Sequence, residues 1–227
     1  DLVTGPSLGG MQALEWAASY PERVGSVVPI GVGGRHSAWC IGISEAQRAA
    51  IAADPNWQGG YYTDDAPPAQ GLAAARMMAV CTYRSWDSFE ARFGREKHSA
   101  DLYQAQSYLQ HQGRKINERF DANTYVTLTH AMHTHDLARG RGSYPEVLKE
   151  ISQPTLVVSV SSDTLYPPAE QIELAEHLPN AQYEVLESQH GHDGFLIETE
   201  DLGALIARFR AARYANRNLK AISAGSE

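Results

Sequence analysis

The 227-residue chain carries 19 Lys and Arg against 27 Asp and Glu, a formal charge of −8, with a pI near 5.6. That balance argues against nucleic acid or an anionic membrane as partner, and no apolar run approaches the roughly 18 residues of a membrane span. At 43% hydrophobic residues the chain can bury a sizeable core, as one large domain or as a core with an insertion. Two cysteines, Cys40 and Cys81, make no disulfide framework. With no signal peptide in view, the expectation is a reduced, cytoplasmic setting.

In chain order, Asp1-Leu2-Val3-Thr4 reads as a strand stub. It runs into Gly5-Pro6-Ser7-Leu8-Gly9-Gly10 and then into a good helix former, Met11–Ala18. Strand, Gly-x-Ser-x-Gly and helix in succession describe the nucleophile elbow of α/β-hydrolase folds. A serine at the tip of a strained turn needs small neighbours, so that strand and helix close up and a substrate can approach. It also gains the free N–H groups of the helix start, which favour developing negative charge. Taken alone, the same residues read equally well as an ordinary Gly-rich loop. The elbow lies only seven residues from Asp1, whereas such a sheet normally has several strands before its nucleophile. The expectation is therefore the C-terminal portion of a longer enzyme, or a processed chain.

Past the turn at Tyr20–Arg23, Val24–Gly31 reads as a short buried parallel strand. From His36 to about Leu148 helical stretches (Ile43–Ala53, Gln70–Cys81) alternate with loops rich in Pro, Gly and Asp, and no strand-like alternation appears. This predicts a helical insertion over 36–148 between two parts of a partial core, 1–35 and 149–227. The β/α rhythm returns with a strand at Thr155–Val160, a helix at Ala169–Leu178, a strand at Ala181–Leu186 and an amphipathic helix at Asp201–Asn216. The tail from Lys220 to Glu227 reads as frayed.

A serine nucleophile needs a base within hydrogen-bond reach and a carboxylate to hold that base. Asp163 follows the strand 155–160 and His192 follows the strand 181–186. Ser7, Asp163 and His192 thus come in the order Ser, Asp, His, each at the C-terminal end of a strand, where ligands gather in open α/β sheets. Glu187 competes with Asp163, but only Asp163 follows the penultimate strand. His190 competes with His192, which Gly191 and Gly194 bracket and leave free to turn inward. His130, His133 and His135 could suggest a metal, but 135 points away from the helical face shared by 130 and 133, and lid-surface histidines are the expectation. Arg139-Gly140-Arg141 reads as a loop salt-bridge element or a contact to CoA phosphates. Trp39, Trp57, Tyr61, Tyr62 and Trp86 read as lid packing, or some of them as the lining of an acyl tunnel.

Several segments together resemble the homoserine O-acetyltransferase family, over residues 1 to about 210. They are the elbow with its second glycine, Gly71–Met77, Thr82–Ser85, Phe89–Arg95, Phe120–Tyr125 and Gly191–Leu196. His36–Cys40 and Glu45–Arg48 lean toward the branch that includes fungal-type enzymes and the related deacetylcephalosporin C acetyltransferase. The resemblance implies an α/β-hydrolase fold, mostly parallel and in its C-terminal half only, with 36–148 as a helical lid that takes part in a homodimer. It implies Ser7, Asp163 and His192 as triad, and Arg76 and Asp193 as contacts to the amino-acid substrate. Leu8 would give one oxyanion N–H. Acetyl-CoA would be the co-substrate and homoserine the acceptor, with no permanently bound cofactor and no metal. Without the resemblance, Arg76 reads as a solvated helix residue or a lid salt bridge, and Asp193 as a loop cap. A succinyl donor, a serine acceptor or an ester hydrolase with the same triad stay open. With the early strands missing, the nucleophile strand would be an unpaired edge, and the chain alone is expected to be poorly soluble and nearly inactive.

Overall fold

The computed structural model describes residues 1–224, with side chains described to residue 213. Four parallel strands form one sheet in the order β1-β2-β5-β6: β1 (Leu2–Pro6), β2 (Ser26–Ile30), β5 (Thr155–Val160) and β6 (Ala181–Leu186). Between β2 and β5 come β3 (Lys97–Ser99) and β4 (Leu102–Tyr103), a small antiparallel pair. That pair corrects the reading of 36–148 as strand-free. With two or three residues per strand, it is too short to leave an alternating pattern in the sequence.

The sheet is a parallel one because helices cross over it. α1 (Leu8–Ser19) joins β1 to β2, and α8 (Pro168–His177) joins β5 to β6. β2 and β5 are buried along their whole length, as expected of strands covered on both faces. Alternate side chains take opposite sides. Val27 and Val157 pack with Met11 and Leu14 of α1 and Leu174 of α8. Val28, Leu156 and Val158 pack with Leu205 and Phe209, which belong to α10 (Thr199–Ala224) behind the short α9 (Gly194–Ile197). The last helix runs to Ala224, past the expected 216 and through the first part of the tail expected to fray from Lys220, and residues 225–227 lie outside the described residues. β1 pairs on one side only, with Leu2 against Ser26 through Pro6 against Ile30. Pro29 sits inside a central strand although it has no N–H to give, and the β2–β5 partners are Val27 with Thr155 and Ile30 with Val158, passing it over.

The intervening segment holds α2 (Ala38–Ala52), α3 (Ala69–Tyr83), α4 (Trp86–Phe93), α5 (Gln104–Ile116), α6 (Ala122–His133) and α7 (Tyr144–Glu150). Ser37, Ser85 and Asp121 each cap a helix by accepting the N–H of Cys40, Ser88 or Thr124, a contact worth about 1 kcal/mol. Ser37 explains why α2 starts five residues before the expected Ile43. α2, α3, α5 and α6 share a small core of their own around Ile51, Leu72, Ala75, Ile116 and Ala122. Trp57 and Tyr62 pack against it. Trp39, Tyr61 and Trp86 do not fit the packing role expected of them: they are 57%, 88% and 74% exposed. Among the described residues no helix is long and apolar enough to cross a membrane.

Candidate active site

Ser7 stands where β1 turns into α1, with φ 51° and ψ −124°. Apart from glycines, only Gln58 shares a positive φ among the described residues. Such a posture costs roughly 1–3 kcal/mol and persists only where its surroundings enforce it. Here the Ser7 N–H donates to the Ile30 carbonyl at 2.9 Å, and the Ser7 carbonyl accepts from Gly10 and Met11. A Cβ on Gly5 would lie 2.4 Å from the Gly9 carbonyl carbon, so the strand and the helix start meet backbone to backbone. Leu8 opens α1, and its N–H belongs to the first turn, where helix donors lack an intrahelical acceptor.

Asp163 follows β5 and is 3% exposed. Its Oδ1 accepts the N–H groups of Leu165 and Tyr166, both at 2.9 Å. Its Oδ2 takes His192 Nδ1 at 2.6 Å. His192 sits on a 3₁₀ turn, Gly191–Asp193, after β6. Its ring lies 5.3 Å from Tyr166 and edge-on to Phe195 at 5.1 Å. The second ring nitrogen, Nε2, is buried and has no hydrogen-bond partner among the described residues, the Ser7 hydroxyl included. A buried imidazole nitrogen left unpaired is costly, and such atoms gather at reaction centres. Ser7 and His192 border the same backbone step: Ile30 accepts the Ser7 N–H, and a Cβ on Gly31 would lie 3.4 Å from His192 Cε1. The competitors stand elsewhere. Glu187 lines an open polar cleft with Asp87 and Ser161, and His190 faces Ser88 Oγ at 3.4 Å.

Over Ser7 opens a cavity of about 460 Å³, walled by the helical segment. Arg76 and Tyr83 of α3 line it, together with Gln47, Arg119 and Tyr125. Among the described residues the lining carries two guanidinium groups and no carboxylate. Arg76 lies over the Tyr83 ring at 5.3 Å, and Tyr125 donates to Gln47 Oε1 at 2.8 Å. Asp193 is not part of this wall. It pairs with Arg84 instead, Nε to Oδ2 at 3.2 Å. Burial pushes the Asp193 carboxyl above the usual aspartate range, while Arg84, then His192 and Arg76, pull it back.

Arg119 lies in none of the motifs read from the sequence, and Gln47, Tyr83 and Tyr125 stood there only inside the segments Glu45–Arg48, Thr82–Ser85 and Phe120–Tyr125, although Tyr83, seven residues after Arg76, is two helical turns along the same face. Among the histidines, His130 is exposed as expected, but His135 is buried and holds the Gly33 carbonyl at 3.1 Å. His133 faces Arg48. These three serve different partners because α6 ends between them. Arg141 pairs with Glu15 at 2.8 Å and bonds Ser19, which makes it a loop-to-core tie.

A family model described as alpha/beta hydrolase fold matches residues 2–199. The chain belongs to that family. Within it, homoserine O-acetyltransferases of Nostoc punctiforme and Chloroherpeton thalassium are 63% and 57% identical, over 90% and 92% of this chain and 59% and 55% of theirs. That of Salinibacter ruber is 55% identical over 92% of this chain and 61% of its own length. The chain thus spans about 60% of the length of these curated relatives, and the resemblance read from its motifs holds. Among solved α/β-hydrolases, the homoserine O-acetyltransferase of Bacillus anthracis superposes with a TM-score of 0.79 at 25% identity, covering 85% of this chain and 54% of that one. Esterase E22 superposes at 0.83 with 23% identity, over 91% and 60%, a likeness of fold.

Proposed function

We propose that the complete protein moves an acetyl group from acetyl-CoA to the hydroxyl of L-homoserine, the acyl group resting on Ser7 between the two halves. In the first half, Ser7 Oγ attacks the thioester carbonyl while His192 Nε2 takes its proton, and Asp163 holds the ring through Nδ1. The Leu8 N–H is one donor to the oxyanion. The C–S bond breaks, and the thiolate of CoA leaves with the proton held by His192. In the second half, the homoserine hydroxyl attacks the acyl-serine, His192 takes its proton, and Ser7 leaves protonated. Arg76 offers the fork that a carboxylate needs, and Asp193 accepts from the α-ammonium. The segment 36–148 acts as a lid that keeps water from the acyl-serine and carries the contacts of a homodimer.

One observation carries this reading beyond a plain ester hydrolase. The wall over Ser7 holds Arg76 and Arg119 without any acid, a lining suited to an anionic substrate. The test is acetyl-labelled acetyl-CoA given to the complete gene product, with and without homoserine. Label on Ser7 that passes to homoserine is the expected result. Prompt release as free acetate would assign hydrolysis instead, and no labelling would remove the reading. Serine and succinyl-CoA in parallel reactions decide the acceptor and donor.

A further inference from the structure

We propose that Arg84 is a positioning residue for the acceptor: its guanidinium pairs with Asp193 and aims it, so that one carboxylate oxygen meets the substrate ammonium. This rests on the acyl-transfer reading above, and it adds a residue outside the cavity wall. Arg84 is the first residue beyond α3, in extended conformation, with Ser85 capping α4 immediately after it. The junction is pressed against the histidine loop. Gly191 has φ +68°, and a Cβ there would lie 2.6 Å from the Ser85 nitrogen and 2.7 Å from the Arg84 carbonyl carbon. Ser85 Oγ donates to the Gln189 carbonyl, and Ser162 Oγ accepts the Gly191 N–H at 2.9 Å. Backbone contact therefore delivers the guanidinium to Asp193, where Nε holds Oδ2 at 3.2 Å. No hydrogen bond among the described residues takes Oδ1, and a carboxylate has capacity for both partners.

The charge balance explains why a cation is needed there. Asp193 is half-buried, and burial favours its neutral form. Arg84 opposes this most strongly, ahead of His192 and Arg76, while Asp163 adds to the burial effect. A neutral Asp193 loses its attraction for an ammonium. α3 thus serves both ends of an α-amino acid: Arg76 within the helix faces the carboxylate, and Arg84 just past its end keeps the ammonium's partner charged. His192 has separate supports in Asp163 and the Ser162 tie, so the first half-reaction should be insensitive to Arg84.

The experiment compares Arg84→Gln with wild type in the full-length protein, measuring the two half-reactions apart. For Arg84→Gln, the KM for homoserine should rise about tenfold, a loss of ~1.4 kcal/mol. The acid limb of kcat/KM for homoserine should move to higher pH. Acylation of Ser7 by labelled acetyl-CoA without homoserine should keep its wild-type rate and pH profile. Arg84→Lys should recover most of the loss. In an Asp193→Asn background, Arg84→Gln should add nothing further. An unmoved homoserine KM and acid limb would overturn the proposal. So would an equal fall in both half-reactions, which assigns Arg84 to the shape of the loop. A wild type that acylates but never transfers to homoserine would overturn the acyl-transfer reading itself, and this proposal with it.

Discussion

Ser7 and His192 stand at the same end of the sheet, yet they are held there by different means. The posture of Ser7 comes from close at hand: β1, the meeting of Gly5 with Gly9, and the start of α1 are all within a few residues, with one tie to Ile30. His192 is fixed from a distance. Its partner Asp163 is 29 residues away, and its turn leans on Ser85 and on the backbone, not the side chain, of Arg84, more than 100 residues earlier and within the helical segment. The proposed nucleophile is thus a local feature of the chain and the proposed base a tertiary one. Disturbing the first should stop the chemistry and spare the fold, whereas disturbing the second should touch both.

Ser7→Ala tests the first half of that contrast and carries the largest expected effect. Acetyl transfer in the complete protein should fall by about 10⁴-fold or more. The urea midpoint should stay within the scatter of surface substitutions, about ±0.5 kcal/mol. A variant that keeps a tenth of the activity would show that Ser7 does not carry the acyl group.

Gly191→Ala tests the second half. Both its positive φ and the approach to Arg84 and Ser85 forbid a methyl group, and the backbone atoms it would meet cannot swing aside as a side chain would. The expected cost is about 2–4 kcal/mol of stability, read as a lowered urea midpoint, with activity falling alongside it. Full activity at unchanged stability would mean that the helical segment does not hold the histidine loop.

The same contrast governs what could be read from the residues. The elbow turn, the strands of the sheet and the placement of Ser7, Asp163 and His192 just past strand ends were legible, because each rests on a run of a few residues with its own periodicity or turn chemistry. The pairing Gln47–Tyr125 joins residues 78 positions apart with no shared motif, and it was not legible. Arg84 was hidden for another reason. It lay inside a quoted motif, but its partner is known only once two loops are placed side by side. His135 was misjudged as a surface residue because α6 ends at His133, and the break turns the next residues inward. Hydrophobic periodicity reports the face of a helix and says little about the residues just past its end.

His36 joins the two regions and gives the mildest test. It lies past β2 and is 8% exposed, with its backbone N–H on the His135 carbonyl and Nδ1 3.4 Å from the Tyr166 hydroxyl. Burial, then the neighbouring His133, His135 and Arg48, lower its pKa from 6.5 to about 4. Between those two values the unfolded chain binds a proton that the folded one refuses, so stability rises with pH across that window. On acidification, stability is lost progressively from about pH 6.5 to about pH 4, with no further loss from this residue below that. The full shift would correspond to ~3 kcal/mol. His36→Gln should lower stability at neutral pH by a smaller amount, because it disturbs a buried ring, but it should flatten the slope between pH 6.5 and 4. Urea midpoints across that range for wild type and variant decide the matter, since the slope is independent of the packing loss. Parallel curves would place the acid sensitivity elsewhere, with His133 and His135, whose pKa values are also lowered, next to be replaced.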